Sequence, residues 1–78
     1  MMAPFVSLAL SVSDKMEFVD ASSRGIAMRF CKLYPPEKIA RIVEKAQAFP
    51  WWKNYPKAAF MKAVGIINKE EKASAGTS

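Results

Sequence analysis

The sequence contains no histidine, one cysteine and three isolated glycines among its 78 residues. Each scarcity excludes something. Without histidine there is no ordinary general base near neutral pH. A single thiol and no imidazole leave no ligand set with zinc-site spacing, so no metal and no cofactor is expected. Cys31 alone cannot form an internal disulfide, and its neighbours Phe30 and Leu33 suit a small buried apolar side chain better than a reactive one. The glycines do not form a phosphate-cradling loop. No apolar run approaches the ~20 residues that cross a bilayer, so no membrane partner is expected. Residues 3–12, APFVSLALSV, are apolar but short and follow no basic residue, which does not read as a secretory signal. A lone thiol without such a signal suits a reducing, cytoplasmic location. No constellation of catalytic groups emerges, and the chain is not expected to be an enzyme.

Positive charge and apolar surface are what the chain has in surplus. Twelve Lys and Arg against seven Asp and Glu give a net charge of +5, which attracts polyanions. The apolar fraction of 51% is high for one domain of this size, which buries only a modest share of its surface. Part of that surface is therefore expected to meet a larger protein subunit or a second copy of the chain.

The N-terminal run PFVSLALSV fits two periods. Val6, Leu8, Leu10 and Val12 alternate as in a strand, whereas Phe5, Leu8, Val12, Met16 and Val19 follow helical spacing behind Pro4. Helix is favoured because everything after it is helical. Asp14-Lys15-Met16-Glu17 resembles a capping box with Asp for Ser, which would start a helix there and leave residues 4–12 as an extended arm. Met16, Val19, Ile26, Phe30 and Leu33 form a stripe up to Tyr34. Ser22, Ser23 and Gly25 are candidate kink residues within it, and Pro35-Pro36 ends it.

PPEKIARIVEKAQAF is the clearest helix, with Ile39, Ile42, Val43 and Ala46 on one face and Pro50 as its stop. A last helix from about Pro56 to Glu71 places Phe60, Ala63, Val64 and Ile67 together. The expected fold is all-α, a small bundle of three to four short helices. The alternative is an N-terminal β-hairpin or extended arm packed on three helices. Residues 1–72 read as one domain and residues 73–78, ASAGTS, as a disordered tail. Asp20 with Arg24 and Glu37 with Arg41 stand at the spacing of helical ion pairs.

Two features suggest a binding surface. At about 100° per residue, Lys38, Arg41 and Lys45 cluster beside the apolar face of their helix, with Glu37 and Glu44 in the next sector. On the last helix Lys62, Lys69 and Lys72 lie opposite the apolar face, with Lys57 at the edge and Ala58 and Gly65 between. Small residues flanked by lysines would let a sugar-phosphate backbone approach closely.

Between these helices, FPWWKNYPKAAF sets Phe49, Trp51, Trp52 and Tyr55 among Lys53, Asn54 and Lys57. One tryptophan is expected in the core, sealing the corner, and the other exposed. Exposed rings among cations suit stacking on unpaired bases, and equally a protein hot spot.

Residues 34–72, YPPEKIARIVEKAQAFPWWKNYPKAAFMKAVGIINKEEK, are similar in general character to helical segments of phage or plasmid replication proteins. In size, charge and helicity the chain resembles small helical subunits of CRISPR effector complexes. No diagnostic motif carries either likeness, and neither transfers a site residue.

The expected function is that of a non-catalytic, basic helical module of a nucleoprotein assembly, binding the nucleic-acid backbone with little sequence specificity. Lys38, Arg41, Lys45, Lys57, Lys62 and Lys69 are the expected phosphate contacts. Trp51, Trp52 and Tyr55 are the candidates for base stacking or partner docking, with single-stranded DNA or RNA the favoured ligand. The alternative is a protein–protein interaction module that docks its apolar surface on a larger subunit without touching nucleic acid.

Overall fold

The computed structural model of the chain describes residues 4–76, with side chains over residues 5–73. These residues form four α-helices and no strand: α1 (Pro4–Lys15), α2 (Ala21–Leu33), α3 (Pro36–Gln47) and α4 (Pro56–Gly76). The all-α bundle expected from the sequence is the fold.

In α1 the helical period overrides the strand alternation. Ala9 and Ser13 lie on the polar side of an alternating strand, yet both are buried, while Leu10 is 52% exposed. The helix ends where the capping-box reading would start one. Glu17 takes the left-handed conformation at φ 56°. The Glu17 amide donates to the Asp14 carbonyl at 3.2 Å and the Phe18 amide to the Ser13 carbonyl at 2.9 Å. This is a Schellman C-cap with glutamate where glycine is usual.

The true start of α2 is at Asp20. Its carboxylate accepts from the Ser23 amide at 3.0 Å and the Ser23 hydroxyl at 2.8 Å. These bonds, the hydroxyl's foremost, hold its carboxyl below the ordinary carboxylate range. Asp20 is thus an N-cap, and among the described residues it makes no ion pair with Arg24, whose Nε donates instead to the Phe18 carbonyl at 3.3 Å. α2 then runs unbroken through Ser22, Ser23 and Gly25. Val19 and Leu33, two members of the predicted stripe, are 84% and 66% exposed. Ser23, Ala27 and Cys31 form the buried face.

α3 follows the sequence reading, with Ile39, Ile42, Val43 and Ala46 buried and Pro36 in its first turn. Overlapping turns cover residues 48–54, including Phe49 amide to Ala46 carbonyl and Trp52 amide to Phe49 carbonyl, both 3.2 Å. α4 buries Ala59, Phe60, Ala63, Val64 and Ile67 and continues beyond Glu71 to Gly76. Four residues assigned above to a disordered tail are therefore helical, and residues 77–78 lie outside the described residues.

α1 packs chiefly on α2, and α3 chiefly on α4. The two pairs meet on Phe60, which is fully buried. The Phe18 ring meets it edge-on at 5.8 Å, and Phe30 lies at 5.9 Å. The Cα trace spans 39 × 34 × 16 Å, so the molecule is flat, and along α4 Ala58, Lys62, Gly65, Lys69 and Lys72 are exposed to solvent.

Candidate nucleic-acid interface

The three cations predicted on α3 share one flank, and that flank faces α4. Lys38 Nζ lies 3.0 Å from a Glu71 carboxylate oxygen. The Arg41 guanidinium reaches Glu71 at 3.5 Å and Glu70 at 3.9 Å, and Lys45 reaches Glu70 at 3.5 Å. Arg41 is thus paired across helices, and among the described residues it makes no ion pair with Glu37. Lys38 also sits over the Tyr34 ring at 4.0 Å. The row is an ion ladder between helices, and its members do not stand free. Each exposed pair contributes about 0–1 kcal/mol, so the ladder orients α3 on α4 more than it holds the fold together.

The outer face of α4 differs. At about 100° per residue Ala58, Lys62, Gly65, Lys69 and Lys72 fall within about 80°, centred opposite the buried face. All five are exposed. Glu70 and Glu71 turn towards α3. Among the described residues no carboxylate lies within ion-pair distance of Lys62, Lys69 or Lys72. A Cβ built on Gly65 meets nothing within 4 Å, so packing gives no reason for a glycine there.

The structure therefore keeps Lys62, Lys69 and Lys72 on one open face, as the helical wheel places them, although Lys72 is not among the phosphate contacts expected above. Spacing alone signals this residue, three after Lys69 and seven after Gly65. Lys57 stands apart from the face. It donates to the Ser22 hydroxyl at 3.0 Å and ties the start of α4 to the first turn of α2.

The aromatic turn borders this face through Lys62. Phe49 and Trp51 stack with centroids 4.9 Å apart and planes 14° from parallel. Lys62 Nζ lies 5.8 Å and 5.9 Å from the two centroids, at the outer limit of a cation–π contact. Lys53 is placed similarly, 5.8 Å from the Trp52 centroid. The expectation of one core and one exposed tryptophan is corrected: both are half-buried, packed against the edge of the core. Phe60 already fills the centre, which leaves the turn only the rim. Tyr55 is the most open ring, at 64% exposure.

Elsewhere the side chains are quiet. Cys31 is buried, and desolvation pushes its thiol up to about 11, so it stays protonated at neutral pH. Among the described residues no three His, Cys, Asp or Glu side chains are grouped to hold a metal ion, and no helix is long and apolar enough to cross a membrane. An apolar groove of about 590 Å³ runs between α1 and α3, floored by Leu8, Val12, Ile39 and Val43. No family model, curated protein or solved structure matches the chain.

Proposed function

We propose that this protein is a non-catalytic module of a nucleoprotein assembly, binding the backbone of single-stranded nucleic acid with little sequence specificity. The supporting observation is the unpaired lysine face of α4, continuous through Lys62 with the Phe49–Trp51 stack. Lys62, Lys69 and Lys72 supply ammonium groups to successive phosphates, and Gly65 leaves room for the strand between them. Trp51 and Tyr55 offer ring surface to unpaired bases, which stack without regard to sequence. Lys57 and Trp52 border this path, and Lys38, Arg41 and Lys45 form a flank whose charge is largely matched. The buried lone thiol suits a reducing, intracellular setting.

The test is fluorescence anisotropy at low salt, with labelled single strands of unrelated sequence and a duplex of the same length. Comparable affinity for all single strands and weaker binding to duplex are expected. Equal preference for duplex would remove the role given to the rings.

The groove between α1 and α3 favours a second reading, in which an apolar segment of a larger subunit lies along it and the lysines serve solubility. Ala40→Arg, on the exposed rim of the groove, would block such docking and leave nucleic-acid binding unharmed.

A further inference from the structure

We infer that α3 carries a second polyanion-binding row, closed in this structure by Glu70 and Glu71 acting as internal competitors for phosphate. The inference rests on the nucleic-acid reading above and extends it from α4 to the seam between α3 and α4.

Three features of the seam support it. First, the pairing is shared: three cations, Lys38, Arg41 and Lys45, divide two carboxylates, while Glu37 and Glu44 border the seam without pairing to them among the described residues. Arg41 is shared, at 3.5 Å and 3.9 Å from the two glutamates, and holds neither at close hydrogen-bonding distance. Second, the ladder is open to solvent. The side chains of Arg41, Lys45, Glu70 and Glu71 are 39–53% exposed, so their pairing is screened by salt and readily exchanged for another anion; Lys38, 15% exposed and 3.0 Å from Glu71, is the most enclosed member. Third, there is room at the surface. Two shallow depressions of about 270 and 330 Å³ both border on Arg41, one beside Lys45 and Glu70, the other beside Lys38 and Glu71.

A phosphodiester carries one negative charge, as a carboxylate does. It also offers two oxygens to a guanidinium fork, which makes it a fit replacement for either glutamate. At ~1.5 Å of rise per residue the three cations extend over ~10 Å of α3, long enough for two phosphates of one strand. Lys69-Glu70-Glu71-Lys72 thus does two things: its lysines face outward to the strand, and its glutamates hold the α3 row shut.

The test compares two charge-matched pairs of substitutions in the full chain. Glu70→Gln with Glu71→Gln removes the competitors. Asp14→Asn with Glu17→Gln removes the same charge from exposed residues that border neither depression and make no ion pair among the described residues. Binding of a labelled oligothymidine strand is followed across a salt series, and helicity is checked by circular dichroism.

The ladder variant is expected to bind about tenfold more tightly than the control. Its log–log salt dependence should steepen by about 1.4, two added contacts at ~0.7 each. Arg41→Ala with Lys45→Ala should cost markedly more affinity in that background than in the native one. If the ladder variant loses helicity, Glu71→Gln alone, freeing Lys38 and Arg41, should give about half the steepening. A gain no larger than the control's, or an equal loss from Arg41→Ala with Lys45→Ala in both backgrounds, makes the ladder a structural staple and overturns the inference. If the native protein does not bind but the ladder variant does, the α4-face reading falls and this inference stands. If neither binds, both fall.

Discussion

Replacing Gly65 with alanine should strengthen the fold and weaken nucleic-acid binding at once. Gly65 is the tenth residue of the 21-residue α4, well inside the helix, and carries helical backbone angles. A Cβ there meets no atom within 4 Å, so the added methyl causes no clash. What remains is intrinsic propensity, worth about 0.8–1.0 kcal/mol in favour of alanine in a helix interior. For a domain of this size, that corresponds to a rise in Tm of roughly 4–8 °C. Gly25 in α2 is the matched control, since its Cβ would also meet open space. Both substitutions should raise Tm. Only Gly65→Ala should lower affinity for single strands, by several-fold, because its methyl stands between Lys62 and Lys69 where the backbone is proposed to lie. Thermal melts and anisotropy on the two variants decide it. If Gly65→Ala lowers Tm, the outer face of α4 is not open. If it binds as tightly as Gly25→Ala, no strand passes close to Gly65.

Glu17→Gly should stabilise the protein by on the order of 1 kcal/mol, because it relieves a side chain held at positive φ in the C-cap of α1; denaturant melts check this, and a loss of stability would contradict the Schellman geometry. The Asp20 cap gives a pH signature. Its folded pKa lies below the ordinary 3.8, so its contribution is fully present above about pH 4 and is lost as pH falls through the lowered value; Asp20→Ala should flatten this part of the stability–pH curve. Trp51→Ala removes a half-buried ring and its stack on Phe49 and should cost about 2 kcal/mol, below the 3–5 kcal/mol of a fully buried aromatic. Assayed on folded protein, it should also lose ~1–3 kcal/mol of single-strand binding with little change in salt slope.

How much of this was legible in the sequence depended on how local the deciding contact is. α3 was plain because its apolar residues repeat at helical intervals between prolines, and all four are buried. α1 was ambiguous because the side chains that settle its period, Ala9 and Ser13, are small and give little hydropathy signal. Asp14–Glu17 misled because a capping box and a C-cap are separated by one backbone angle, and glutamate rarely takes the one found at residue 17. The two basic rows looked alike in sequence. They differ only because Glu70 and Glu71, 25–33 residues away from their partners, fold against one of them. Linear spacing exposes pairs three or four residues apart, such as Glu37 and Arg41, and is blind to pairs made by packing. The aromatic turn was legible as a cluster, whereas the share of each tryptophan in the core depended on how much space Phe60 left.

The salt dependence of single-strand binding, with Lys62, Lys69 and Lys72 intact and with all three changed to alanine, tests the central claim most directly. The native chain should bind at low salt, and its affinity should fall steeply as salt rises. The triple variant, folded by circular dichroism, should bind weakly with a log–log slope shallower by about 2, three lost contacts at ~0.7 each. A folded native chain that does not bind at low salt, or a triple variant with an unchanged slope, would show that the α4 face is not a nucleic-acid-binding surface.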